Sequence, residues 1–416
     1  MRKLAPFAAL LLLAPAPAGA QDILIRGARV HTAAAAGTLE NADVLVQGGR
    51  IAAVGAGLAA PAGATVVEAK GRPLTPGLFG GISQIGLEEV HQEPSTYDAE
   101  LKLEAPAWQH MWRPEFDVTP AFNPRSIVLA VTRIEGVTWG TIAPLAADSL
   151  VIGQGSAVTL DGRFDAALPG GRTLFVNWGS AAHDASGGSR AAQYMLFDQA
   201  IREVREPGSS GPAALLLPEG RAALKGYLAG GRVVFFVERA NDIREVVRFA
   251  KARGMKPVIA GAAEAWVVAR ELAEAGVPVI LDPLESLPDD FDRLGSRFDN
   301  AKLLHEAGVT IAFSQTDSFQ LRKNRQLAGN AVAHGLPWEA ALAAITSSPA
   351  AIFGLGVRGR IEAGQAADLV LWSGDPLEVT TVAEQVWIAG NPVTMRSRQT
   401  ELRDRYLERL RSGATD

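Results

Sequence analysis

Apolar and polar positions follow two different rhythms along this chain. Near the N-terminus, ILIRGARV (23–30), ADVLVQGGRIAAVG (42–55) and ATVVEAKG (64–71) alternate or run apolar over a few residues and break at glycines, the pattern of short β-strands joined by tight turns. Gln47-Gly48-Gly49-Arg50 reads as a hairpin turn, with glycine supplying the positive φ. These strands are too few to close a core. Similar runs reappear at the far end, ADLVLW (367–372) and QVWI (385–388), followed by the turn Ala389-Gly390-Asn391-Pro392. The economical prediction is one β-sandwich assembled from both chain ends.

The middle alternates strand and helix. VVFFVE (233–238) precedes the helical pattern DIREVVRFAKARG, and KPVIAG (256–261) precedes AEAWVVARELAEAG. VPVILDP (277–283) leads to the helix around DNAKLLHEAG and then to VTIAFSQTD (309–317). Gly254, Gly276 and Gly308 each stand where a helix needs its C-terminal cap. Strand starts recur every roughly 20 to 32 residues, the spacing of βα units in a parallel barrel. GVTWGTIAP and RTLFVNWG supply further strands upstream. The sequence therefore predicts an α/β chain: a TIM-like (β/α)8 barrel with a split β-sandwich. An open doubly wound sheet is disfavoured by the flanking β-rich ends and by the lack of a GxGxxG turn. The predicted division is a sandwich part over 21–75, the barrel over 76–357, the returning sandwich part over 358–395 and a helical tail over 396–416. Within a βα barrel, chemistry sits at the C-terminal ends of the strands, which directs attention to Ile82, Gln84, Glu238, Ala260, Gly261 and Asp317.

Residues 1–20 read as a signal peptide. Met1-Arg2-Lys3 is a positive start, Leu4 to Leu13 a short apolar run, and Ala18-Gly19-Ala20 a small-residue cleavage site. The run is too short for a membrane of about 30 Å, and no later apolar run is long enough to span one. An exported, periplasmic protein with no membrane span is the expectation. The 416 residues carry a net charge of −5 and no cysteine. That balance, without any basic block, argues against nucleic acid as a partner. The missing thiols exclude disulfides, zinc–thiolate sites and cysteine nucleophiles.

Several segments then resemble the amidohydrolase superfamily, and within it the imidazolonepropionase-like group. ADVLVQGGRIAAVG is similar to that family's N-terminal sandwich hairpin, and RPLTPGLFGG to its entry into the first barrel strand. AIFGLG is similar to its last barrel helix, and GRIEAGQAADLVLWSGDPLEV to its return into the sandwich. The resemblance covers nearly the whole chain beyond residue 20. It implies hydrolysis of non-peptide carbon–nitrogen bonds at a metal held by barrel residues.

The ligand motifs of that family are mostly absent. Its first strand ends in His-x-His, two imidazoles on one strand face converging on one metal. Ile82 and Gln84 occupy those places in the register set by Pro76-Gly77-Leu78. Glu238 stands at the fifth-strand histidine and Ala260 at the sixth, while Asp317 matches the eighth-strand aspartate. The six histidines (31, 91, 110, 183, 305 and 334) include no pair at i, i+2 or i, i+4 spacing. His305 and His334 fall on predicted helices and His31 in the sandwich. His110 and His183 lie in irregular segments that could reach the mouth, with nothing in the sequence to place them there.

The expected site is therefore Asp317 and Glu238 as acid–base residues, with Gln84 and Arg239 contacting substrate and Arg239 beside Glu238 as its ion-pair partner. No metal or other cofactor is expected; the alternative is a single divalent cation held through the oxygens of Glu238, Asp317 and Gln84. The loop Asp282-Pro283-Leu284-Glu285-Ser286-Leu287-Pro288, with Trp108, Trp112 and Trp178, is a candidate lining for a pocket. No Ser-His-Asp arrangement or G-x-S-x-G elbow is present. Two functions remain open: a hydrolase with a reduced metal site, or an inactive relative that binds a small molecule. Either could act as a homo-oligomer, or the second as a subunit beside an active paralogue.

Overall fold

The two ends of the chain set the architecture, because strands near Ile23 and strands near Trp372 share one sheet. The computed structural model describes residues 21–90, 93–102, 112–145, 149–315 and 317–412. The proposed signal peptide, His91, His110, Trp108 and Thr316 lie outside the described residues. The sheet contains β1 (Ile23–His31), β2 (Thr38–Gln47), β3 (Arg50–Gly55), β4 (Thr65–Glu68) and β5 (Pro73–Pro76) from the N-terminal part. The barrel strands β6 to β14 intervene, and the sheet is completed by β15 (Leu369–Trp372), β16 (Ala383–Ile388) and β17 (Asn391–Pro392). Its order is β17-β16-β15-β5-β1-β2-β3, with β4 beside β1. The splice between the chain ends is the antiparallel pair β5–β15, with Thr75 opposite Val370. Its core joins Ile25, Val44 and Leu74 to Leu369 and Trp387.

Asp368 locks this sheet to the barrel entrance. One of its carboxylate oxygens accepts from Ala389 N at 2.8 Å and the other pairs with buried Arg358. Its backbone oxygen accepts from Gly77 N at 2.8 Å, immediately before the first barrel strand.

The barrel strands are β6 (Leu78–Ser83), β7 (Val137–Ile142), β8 (Val151–Gly155), β9 (Ala157–Thr159), β10 (Thr173–Asn177), β11 (Arg232–Val237), β12 (Lys256–Gly261), β13 (Val279–Leu281) and β14 (Ile311–Phe313). Seven of them, β6, β7 and β10 to β14, run in the βα sense, and each neighbouring pair β6–β7, β10–β11, β11–β12, β12–β13 and β13–β14 is parallel. The gap between β7 and β10 is filled differently. β8 and β9 form one bent run that pairs antiparallel with β10 through its first half and with β7 through its second. At the bend, a Cβ on Gly155 would fall 1.9 Å from the carbonyl oxygen of Ile142, so only glycine fits. The predicted glycine caps are observed: Gly254, Gly276 and Gly308 all have positive φ.

The interior holds a large apolar cluster. Phe79, Ile82, Trp139, Ile152, Phe175, Val234, Val258, Ala260, Ile280 and Ala312 make one cluster, closed below by Ile352 and Phe353 of the last barrel helix. Phe79 packs on Trp139 at 4.6 Å and on Phe353 at 5.7 Å between ring centres.

Among the described residues, no strand ladder joins β14 back to β6. Side chains bridge that seam. Ile82 N donates to Ser314 Oγ at 2.7 Å, and Asn324 Nδ2 donates to the carbonyls of Phe79 at 2.7 Å and Phe313 at 3.4 Å. Gly81, at φ +88°, permits the approach, since a Cβ there would lie 2.7 Å from Ser314 Oγ. Ser314→Ala leaves the buried Ile82 N–H without an acceptor and is expected to cost about 1–3 kcal/mol. Urea denaturation of the variant measures it; an unchanged midpoint would show that the seam is held elsewhere.

Candidate functional site at the barrel mouth

Strands β11 to β14 end side by side, and the residues following them converge on a cavity of about 120 Å3. Ile82, Phe236, Ala260, Ile280 and Leu281 form its apolar wall; Glu238, Asp282, Glu285, Ser314 and Gln315 give it polarity.

Glu238 follows the last residue of β11, and its Oε2 accepts a hydrogen bond from Ala263 N at 2.9 Å. The backbone across from it has to be bare. A Cβ on Gly261 would fall 2.4 Å from Glu238 Oε1, and Gly261 has φ +83°. Burial raises the Glu238 carboxyl above its ordinary range, against the Ala263 hydrogen bond and the nearby Arg293 charge, which lower it; Glu285 and Asp289 push it further up. Asp282, directly after β13, is pushed up to about 6, again mainly by burial. Its Oδ1 accepts from Leu284 N at 2.8 Å, which folds the loop back over the mouth. Arg293 closes this side by pairing with Glu285 and, at 3.1 Å, with Asp289.

The sequence-derived site is only partly assembled here. Of its four residues, Glu238 lines the cavity and the other three do not. Asp317 is exposed past the end of β14, where its Oδ1 accepts from Phe319 N at 2.8 Å in a local turn. Gln84 is buried beyond the end of β6, and its carbonyl accepts from Leu87 N at 2.8 Å. Arg239 does not neutralise Glu238, contrary to expectation. It reaches the first turn of its own helix, Ala240–Ala252, and pairs with Asp242 at 2.8 Å. Asp242 also takes Arg190 at 2.9 Å, and Arg190 continues to Asp292, which accepts from Ser180 N at 2.9 Å. Arg239 thus belongs to a half-buried charge chain that ties the loops after β10, β11 and β13 together.

The Asp282–Pro288 loop does supply lining through Asp282 and Glu285. Arg293 was missed, because an arginine in an irregular segment carries no local motif. Trp112 and Trp178 are core residues packed around Phe197. His31, His183, His305 and His334 all lie away from this cavity. Among the described residues, no three histidine, aspartate or glutamate side chains are grouped as a metal site requires. No helix of the described residues is long and apolar enough to cross a membrane.

A barrel whose strand ends form the pocket, joined to a sheet made from both chain ends, is the architecture of metallo-dependent hydrolases. The described structure superposes on an amidohydrolase from Thermotoga maritima MSB8 with a TM-score of 0.80 and 26% identity, covering 90% of this chain and 100% of that one. It shares its fold with N-isopropylammelide isopropylaminohydrolase from Burkholderia multivorans ATCC 17616, with a TM-score of 0.51 and 18% identity over 90% of this chain and 98% of that one. A family model described as "Amidohydrolase family" matches residues 316–394. The curated protein "Amidohydrolase tasK" of Hapsidospora irregularis is 40% identical over 91 residues, which is 21% of this chain and spans only 9% of that protein's length. This chain belongs to the amidohydrolase superfamily.

The raised carboxyls have a consequence for stability. In the unfolded chain an aspartate titrates near about 3.9 and in the fold Asp282 near about 6. Below the first value both states are protonated and nothing is lost. Between the two values the unfolded state ionises first, so native stability falls as pH rises, and above about 6 the loss is complete. Glu238 acts in the same direction. Asp282→Asn and Glu238→Gln keep an acceptor for Leu284 N and Ala263 N, so each is expected to raise the urea midpoint at about pH 7.5 and to leave it nearly unchanged at about pH 4. Equal effects at both pH values would show that charge burial is not the cause.

Proposed function

We propose that this chain is a member of the amidohydrolase superfamily that has lost metal-activated hydrolysis and uses its barrel mouth for binding. The reading is supported above all by the placement of Ile82 and Ala260. These positions correspond, by the resemblance, to imidazole ligands, and both side chains lie in the apolar cluster that fills the barrel. Burying a side chain the size of Ile82 contributes about 1.5–3 kcal/mol to folding. The remaining polar groups are a poor donor set. Glu238 and Asp282 are held toward their neutral forms by burial, and Glu285 is engaged by Arg293. The Arg293 charge beside Glu238 also opposes a divalent cation. A bound metal would supply hydroxide at neutral pH by lowering the pKa of water from 15.7 to about 7, and no residue at this mouth replaces that effect. The residues therefore do not fit the metal that the superfamily implies.

A second reading draws on Asp282. A carboxyl near pH 6 is suited to general acid–base work, and metal-free cleavage of an activated carbon–nitrogen bond would use it with Glu238. The N-terminal twenty residues support export as the setting for either reading.

Elemental mass spectrometry of protein grown with zinc, manganese and iron tests the first reading. Metal at trace level only is expected; about one or two ions per chain would overturn it. Joint replacement Ile82→His, Gln84→His, Glu238→His and Ala260→His is expected to raise zinc affinity. A variant shown to be folded that gains none would refute the assignment of these four positions. Loss of a measured amidase or lactamase activity on Asp282→Asn, in metal-free protein, would establish the second reading.

A further inference from the structure

Two exposed surfaces on this chain complement each other. The first is the loop after β13. Leu287, Phe291 and Leu294 are 74%, 87% and 64% exposed within eight residues of one another. Contiguous large apolar side chains on a surface mark an interaction site more often than chance. This segment is also firmly held. Arg293 ties Glu285 to Asp289, Asp292 is bound by Ser180 N and Arg190, and Gly295 is gripped between Trp266 Nε1 and Glu264. Its apolar side chains are displayed by a fixed scaffold.

The second surface is the C-terminal helix Arg398–Ser412, which has no buried residue. Leu402, Tyr406 and Leu410 recur at i, i+4 and i+8 and so share one face. Tyr406 is 56% and Leu410 79% exposed. A helix of this length without a buried face is marginal on its own in water. Its described attachments lie toward its start, including the bond from Arg322 to Gln399 at 3.0 Å.

The charges are of opposite sign. Residues 282–298 carry five acids and two arginines; residues 398–412 carry five arginines and three acids. Arg322 follows β14, the neighbour of β13, so the helix starts in the sector of the barrel next to the loop. Within one chain the helix leaves the loop uncovered.

We propose that two copies of this chain associate through the rim of the barrel mouth, the C-terminal helix of each lying on the β13 loop of the other. A two-fold axis at the rim makes both contacts equivalent and closes the assembly at a dimer. Leu402, Tyr406 and Leu410 meet Leu287, Phe291 and Leu294, and the helix arginines face Glu285, Asp289 and Asp290. The pairing is independent of whether the mouth is catalytic.

Sedimentation velocity of the purified chain at micromolar concentration should give a dimer that weakens as salt is raised. Phe291→Asp in the loop and Tyr406→Asp in the helix should each weaken it about tenfold or more. Both side chains are exposed in the single chain, and circular dichroism confirms that each variant is folded. The absence of native cysteine allows a direct test of the contact. Mixing Leu294→Cys protein with Leu410→Cys protein under mild oxidation should trap a covalent dimer joined between those two positions, identified by peptide mass. A monomeric chain, a dimer indifferent to either aspartate, or no 294–410 cross-link would overturn the proposal, including the case where a different protein binds the loop.

Discussion

Two side chains, Ser314 and Asn324, close this barrel. Among the described residues, strand pairing runs without a break from β14 to β10, yet it does not return to β6. The Ser314 side chain accepts Ile82 N where a backbone carbonyl would stand in a regular ladder. The substitution is permitted by Gly80-Gly81, where the register of β6 against β7 slips between Phe79 and Ile82. Once the slip is in place, Ile82 turns inward and its amide turns to the seam. The apolar wall of the mouth and the closure of the barrel thus follow from the same two glycines.

That coupling explains why the mouth is small. Strand ends that hold a charged centre must keep water and space around it, because a buried charge without partners is costly. Here the ends of β6 and β12 carry Ile82 and Ala260, which require neither, and the interior packs up to the level of the mouth. The one carboxylate retained at the end of β11 is accommodated by local measures, a hydrogen bond from Ala263 N and a glycine opposite. The burial that raises Glu238 and Asp282 results from this filling.

The architecture was legible because it rests on periodicity. Helix–strand alternation, the caps at Gly254, Gly276 and Gly308, and the β-rich ends each report local physics, and all are observed. The antiparallel run β8–β9 was not, since VIGQGSAVTL has strand-like composition and direction leaves no trace in composition. The site was less legible for a related reason. Spacing placed Glu238 at a strand end correctly, whereas Asp317 lies only four residues beyond Phe313, far enough for a local turn to carry it out to solvent. The partner of Arg239 is set by the helix that begins at Ala240, where Asp242 sits within the first turn, a closer claim than Glu238 behind it on the strand. Arg293 acts across the mouth through tertiary folding alone.

Arg293 also joins the two halves of the functional reading. Its guanidinium holds Glu285, which lines the cavity, and Asp289, which lies on the exposed apolar loop, while its charge acts on Glu238. Covering Leu287 and Phe291 would remove water from around these ion pairs and strengthen them, since charges interact more strongly away from solvent. A stronger hold on Glu285 and Asp289 draws the arginine charge toward the loop, and the same dehydration raises the cost of ionising Glu238. In the proposed dimer, the state of the mouth and the occupancy of its rim would be linked through this side chain, and by reciprocity a ligand that prefers Glu238 neutral would favour the covered rim.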